Sequence, residues 1–335
     1  MSDFPISGSG AGLTVGLETT YGVVSSAVAG DTCIAFGHNQ SITVDRNMNT
    51  TAVWGLGIPY ASKSYSGLFE GRLTVNFVLA STYFMELVMG QCTDADDGTY
   101  GYSHTYTDNT GYAVTSCSIE NGLDLDTDQV FTYLGCVVDS CEMTMRVGEP
   151  VNVTLNMPYA KEIKATSGRD TTPDTDDEEP LVFSEGTLEI PDGTAIARVQ
   201  SCTLRFIKNA QLIAGLGDRC PSKAIWKNMA IEFDLEVSLE NADLIEDMYG
   251  QATGPLTATN PAGEASLEIT LSNAGATTAR RSLTMLFGYT FIRSISVAQK
   301  VEDHMIQRVS GYCISAPTSI VGIDNTATSP LITGD

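Results

Sequence analysis

Apolar and polar residues alternate with a period of two along much of the chain, and the clearest runs come in matched pairs. Residues 71–79 place Leu73, Val75 and Phe77 on one side and Arg72, Thr74 and Asn76 on the other. That is the pattern of a strand with one buried face. Residues 230–239 repeat it. Two earlier strands, Gln40–Asp45 and Gln200–Phe206, each run into a glycine loop, Gly55-Leu56-Gly57 and Gly215-Leu216-Gly217. These glycine pairs precede no helix, so they read as turns and not as phosphate cradles. A short helix follows each second strand. Ser81 is placed to cap Thr82–Met89 and Gly90 to stop it, while Asn241 caps Ala242–Tyr249 before Gly250. Tyr133–Val147 and Pro150–Tyr159 read as a hairpin turning at Gly148-Glu149, and Gly288–Val297 with Met305–Cys313 as its counterpart.

The pairing of these runs is an internal repeat. Residues 40–90 set above residues 200–250, without gaps, align Gln40-Ser41 with Gln200-Ser201, Asn49 with Asn209, Gly55-Leu56-Gly57 with Gly215-Leu216-Gly217, and Ser62-Lys63 with Ser222-Lys223. Apolar positions coincide as well: Val44 with Leu204, Leu73 with Phe233, Val75 with Leu235. The offset is 160 residues in this block and 154 in the later hairpin, where Ser140 aligns with Ser294 and Val151 with Met305. A repeat of this size marks a duplicated structural unit.

The expected class is therefore mainly β: two tandem β-sandwich or barrel-like domains, each with one short packed helix. Residues 33–165 form the first and 183–320 the second. Residues 1–32, small, polar and glycine-rich, are expected to be an extended arm, and 321–335 a tail. The acidic, proline-bounded segment 166–182 is too polar to bury a core and is expected to be a linker or loop.

Composition narrows the chemistry. Against 41 acidic residues stand 18 lysines and arginines, a formal charge of −23, which argues against a surface built to grip phosphates. The eight cysteines form no C-x-x-C pair, so zinc or redox motifs are not indicated and most thiols should be buried and free. His38, His104 and His304 lie in separate segments, none at metal-ligand spacing, and no G-x-S-x-G elbow occurs. Asp94-Ala95-Asp96-Asp97-Gly98 hints at calcium but lacks the EF-hand spacing and reads as a solvated loop. Neither catalytic, cofactor-binding nor metal-binding residues are assigned. Trp54 and Trp226 read as packing anchors. No apolar run is long enough for a membrane span, and Met1–Pro5 does not open like a signal peptide.

Several elements, in order, resemble the tail tube (major tail) proteins of long-tailed bacterial and archaeal viruses: Gly16-Leu-Glu-Thr-Thr-Tyr-Gly22, Phe36-Gly with Gln40-Ser41, Gly55-Leu-Gly57, His104-Thr-Tyr-Thr107, and Tyr133-Leu-Gly-Cys136 leading into Gly148–Leu155. The resemblance implies a non-enzymatic virion protein whose strands join those of its neighbours into a central β-barrel. For a fused two-domain member it implies homotrimeric rings with pseudo-sixfold symmetry, homohexamers being the alternative. It also implies stacking of rings through arms and long loops, contacts with tape measure and tail terminator proteins, assembly in the host cytoplasm, and DNA passing through without specific binding. An acidic lumen would let DNA slide; Glu70, Asp139 and Glu142, in or near strands, are the candidate lumen-facing acids. A β-sandwich module of the virion that binds a receptor or carbohydrate is the competing reading.

Overall fold

The computed structural model describes residues 12–29, 34–98, 101–109, 114–123, 129–165, 179–190, 199–239, 243–249, 254, 265–273, 281–298 and 305–324. The first half contains β1 (Gly12–Leu17), α1 (Ser26–Ala29), β2 (His38–Asn47), β3 (Thr50–Trp54), β4 (Ala61–Ser66), β5 (Glu70–Val78), α2 (Phe84–Met89), β6 (Gly90–Asp96), β7 (Tyr102–Asp108), β8 (Cys117–Leu123), β9 (Gln129–Cys136), β10 (Ser140–Arg146), β11 (Asn152–Tyr159) and β12 (Lys161–Ala165). The second contains β13 (Val182–Glu189), β14 (Val199–Ile207), β15 (Gln211–Ile213), β16 (Lys223–Ile225), β17 (Ala230–Ser238), α3 (Asp243–Tyr249), β18 (Ala265–Ser272), β19 (Ser282–Ala298), β20 (Ile306–Cys313) and β21 (Ser319–Asp324).

The mainly β fold expected from the alternation is present, and the repeat is written into the strand register. In the first half the strand order is β2-β5-β11-β10, and in the second it is β14-β17-β20-β19. Ser41 faces Asn76 while Ser201 faces Glu236, each partner 160 residues on. Ser140 faces Asn156 while Ser294 faces Ser310, each 154 residues on. A one-residue slip would turn every apolar side chain to the wrong face, so two halves that share strand order and register are the same unit built twice.

A second sheet covers the apolar face of each unit. In the first half its order is β1-β8-β9-β12; in the second, β13, β18, the early part of β19 and β21 take the same places. Leu73, Val75, Val153 and Leu155 from one sheet and Val15, Ile119 and Tyr133 from the other are almost wholly buried in one cluster, which extends through Leu204, Phe233 and Leu283. Where the repeat expected one long run over Tyr133–Val147, the chain bends after β9 and changes sheets before β10. Gly135 is in the left-handed region there, at φ 66°. In the second half β19 makes the same passage as a single strand.

Other expectations need correction. Residues 12–29, read as arm, include β1, which pairs along its length with β8, and α1, whose Ala27 and Val28 are buried; residues 1–11 and 30–32 lie outside the described residues. Leu181, read as linker, is buried and exchanges backbone hydrogen bonds with Val151 and Leu79, whereas 166–178 are outside the description. Residues 321–324, read as tail, belong to β21. Ser81 is not the cap of α2: Tyr83 occupies that position in helical conformation without a side-chain cap bond, although Gly90 does end the helix at φ 109°. All six residues of α2 are buried, Glu86 included, so the helix is enclosed on every side. Asn241, Ala242 and Gly250 lie outside the described residues. Among those residues no helix is long and apolar enough to cross a membrane.

Candidate functional site

The two units are joined edge to edge. β10 pairs antiparallel with β14 from Ser140↔Ile207 to Arg146↔Ser201, so the two four-stranded sheets form one continuous sheet of eight strands. On the covered side of this seam Met143 faces Leu204 and Cys141 faces Phe206, all fully buried. On the open side Arg205 Nε donates to Glu142 Oε2 at 2.7 Å, and its Nη1 to Asp234 Oδ2 at 2.6 Å. Burial alone would raise the Asp234 carboxyl, but hydrogen bonds from Ser310 and Arg205 outweigh it and hold the pKa below the ordinary value. Beyond the strand end Asp139 closes the seam: its carbonyl accepts from Lys208 N at 2.8 Å and its Oδ1 from Ala210 N at 2.7 Å. Trp226 Nε1 donates to Val138 O at 3.1 Å, and Lys208 Nζ lies 4.4 Å from the Trp226 ring centre while bonding Asp108 at 2.9 Å.

A second seam joins the covering layers. The β6–β7 hairpin of the first half extends the outer sheet of the second, with His104 of β7 facing Gly322 of β21. The buried His104 ring is held from both sides, Nδ1 to Asp94 Oδ1 at 2.7 Å and Nε2 to Asp324 Oδ1 at 3.0 Å. Burial disfavours its protonation, but hydrogen bonds to Asp324 and then Asp94 outweigh that and raise its pKa. Ligand atoms of Cys92, Asp94 and His104 lie within 4.8 Å of one another; both His104 nitrogens are taken up by carboxylates, and Cys92 Sγ is 3.2 Å from Asp94. Asp96 Oδ1 accepts from Gly98 N at 2.8 Å, so within the Asp94–Gly98 run one acid turns inward to histidine and another shapes the loop.

The motif around Glu18 has a structural reason. Its carboxylate accepts from Gly22 N and Gly135 N, each at 2.8 Å, and from Ser116 and Ser118 hydroxyls at 2.7 and 2.9 Å. Burial raises its pKa against these four bonds. A Cβ on Gly135 would lie 2.9 Å from Ala160 Cβ and 3.0 Å from the Tyr21 ring. Glu18, Tyr21 and Gly22 thus pin the β1 segment onto β8 and β9.

The open face of the eight-stranded sheet is polar. Glu70 and Glu142 point out from it, with Asp45, Glu232, Asp234 and Glu236, and among them stand Arg72, Arg146, Arg205 and Arg308. Arg308 Nε bonds Glu236 at 2.7 Å. Two of the three candidate acids, Glu70 and Glu142, therefore share this face, whereas Asp139 is spent on the seam turn. A groove of about 590 Å³ crosses the seam here, lined by Arg146, Ser201, Asp234 and Arg308.

The glycine loops sit at the tips of two hairpins that the alternation did not reveal. β3 pairs with β4 and β15 with β16. Gly57 and Gly217 have positive φ, 77° and 95°, and Gly55 O and Gly215 O accept from the residue three positions on, Ile58 and Asp218. At each tip a leucine, Leu56 or Leu216, is fully exposed, and Trp54, Tyr60 and Tyr65 are exposed beside the first. Trp54 is thus not a packing anchor; Trp226, bonded and half-buried, is one. Cys117, Cys136, Cys141 and Cys202 are buried free thiols, and burial pushes the pKa of Cys141 and Cys202 up. Cys33 and His304 lie outside the described residues.

These features define a duplicated β-sandwich with a polar sheet face, a matched strand edge at each end and an apolar-tipped hairpin on each half. Residues 8–311 match the family model of the phage tail tube protein, and the chain belongs to that family. It is a structural protein of a viral tail. Comparison with curated proteins gave no match.

Proposed function

We propose that copies of this chain close into rings, three chains to a ring with pseudo-sixfold symmetry, and that the rings stack into a tube through which DNA leaves the virion. The observation that carries this reading is the internal seam: the chain already contains two like units joined edge to edge, and the same two edges recur at its ends. Among the described residues no strand pairs with the outer edge of β2, or with the side of β19 away from β20 between residues 294 and 298. Open edges invite strand addition, and a closed ring removes them all. The covered face holds the core, which leaves the polar face for the lumen. Its wall is a mixture of hydroxyls, amides and acids partly neutralised by arginines, a surface with little hold on a phosphate backbone. The exposed Leu56 and Leu216 hairpins supply contacts between successive rings. Tape measure and terminator proteins would meet the two ends of the stack, and assembly would take place in the host cytoplasm.

Negative-stain microscopy of the purified chain tests this: tubes or rings are expected, and a protein that stays monomeric at high concentration contradicts it. The exposed Trp54, Tyr60 and Tyr65 favour a second reading, a receptor- or carbohydrate-binding patch; glycan binding by such a monomer would support it.

A further inference from the structure

We infer that a second copy of this chain docks with Val297 of β19 directly opposite Val44 of the second copy's β2, antiparallel, in the register of the internal seam. This rests on the ring reading above and adds the residues that meet. The two offsets carry the internal joint to the ends of the chain. Met143 becomes Val297 and Leu204 becomes Val44; Ser140 and Ile207 become Ser294 and Asn47; Glu142 and Arg205 become Ser296 and Asp45. Both offsets are fixed by the pairing registers of each half and not by sequence likeness alone.

The side chains at these positions are those of an uncovered joint. Met143 and Leu204 are each 0% exposed at the internal seam, whereas Val297 is 37% exposed and Val44 is half-buried, packed on the core from one side only. Ile295, beside Val297 on the covered side, is also half-buried. Two apolar residues at open edges, each at the place where the other joint buries its own, fit a copy of the same unit better than an unrelated strand. A continued sheet covers both.

The joints differ in charge. The ion cluster of Glu142, Arg205 and Asp234 has as its counterparts Ser296, Asp45 and Thr74. Asp45 faces Arg72 on its own sheet, and Ser296 faces Arg308. At these positions the joint between chains therefore relies on backbone pairing and apolar contact, without a counterpart of the Glu142–Arg205–Asp234 cluster.

The test is a cysteine pair in the full-length chain. Directly opposite residues of an antiparallel pair lie about 4.5–5.5 Å apart at Cα, within disulfide reach, while a shift of four positions adds roughly 13 Å. Mild oxidation of assembled S296C/D45C should give covalent multimers ending at the trimer on denaturing gels. Each single variant, and the displaced pair S296C/S41C, should stay monomeric. In parallel, V297D should keep the monomer's thermal stability and lose assembly. If tubes form but S296C/D45C does not link, or S296C/S41C links instead, the register is wrong and the ring reading survives. If V297D assembles like the parent, this edge is not the joint. Absence of any assembly by the parent chain would overturn the ring reading and this inference together.

Discussion

Arg205 of the second half reaches across the internal seam to Glu142 of the first, Nε to Oε2 at 2.7 Å, and holds Asp234 with its other nitrogen. The side chains are 36% and 44% exposed, so water screens the pair and its contribution is small. Arg205→Ala is expected to cost no more than about 1 kcal/mol in chemical unfolding, because the buried Met143, Leu204, Cys141 and Phe206 do most of the joining. Loss of several times that amount would show that charge and not packing holds the halves together.

Removing acceptor capacity at Glu18 should matter more. Two backbone amides and two hydroxyls converge on this carboxylate, and an amide in its place would set N–H groups against donors. Glu18→Gln is expected to cost about 1–3 kcal/mol, the range for a buried hydrogen-bonding group left without its partner, measured by urea titration. A change within experimental error would mean that the β1 segment is held by its strand pairing with β8 alone.

His104 makes the outer seam sensitive to pH. Its pKa is raised in the folded chain above the ordinary 6.5, so the folded state holds the proton more tightly than the unfolded one. The stabilisation is complete below about 6.5 and is lost as the pH rises through the higher native value. The groups facing the ring are Asp94, Asp324, Cys92 and Tyr83. Thermal midpoints should fall across that window, and the fall attributable to this site should vanish in His104→Gln. An identical pH profile in the variant would assign the dependence elsewhere.

Leu56 and Leu216 touch nothing that a monomer needs. The double change Leu56→Ser, Leu216→Ser should leave the unfolding midpoint unchanged, because exposed positions of this kind affect stability by less than about 0.5 kcal/mol. Tube length under the microscope should shorten markedly. Tubes of unaltered length would remove the hairpin tips from the contacts between rings.

Much of the fold was legible because its long strands have one wet and one dry face. Leu73, Val75 and Phe77 announced β5, and Ser41 over Ser201 with Ser140 over Ser294 announced the two units at their true offsets. β4 was not legible: all six of its residues are exposed, so Ala61-Ser-Lys-Ser-Tyr-Ser66 has no dry face to alternate with. β1 alternates Leu13, Val15 and Leu17 with Thr14 and Gly16, but a six-residue run inside a small, polar, glycine-rich segment reads as arm. The polar face could be anticipated at Glu70 and Glu142, which alternate with buried residues. Asp139 is in phase with the buried Cys141 and Met143 and not with Glu142, and it lies just outside the strand and turns to the Ala210 amide. The pairing of β7 with β21 joins residues more than 200 apart, and no local pattern encodes such a partner.

The most direct test of the central claim, that the internal seam is the template for ring closure, is a cryo-EM reconstruction of assembled tubes at a resolution that traces strands. The expected result is one unbroken inner sheet around the axis, with the β19-to-β2 joint between chains superposing on the β10-to-β14 joint within each chain. An inner wall formed by the covering sheet, or chains that meet through any other surface, would contradict it.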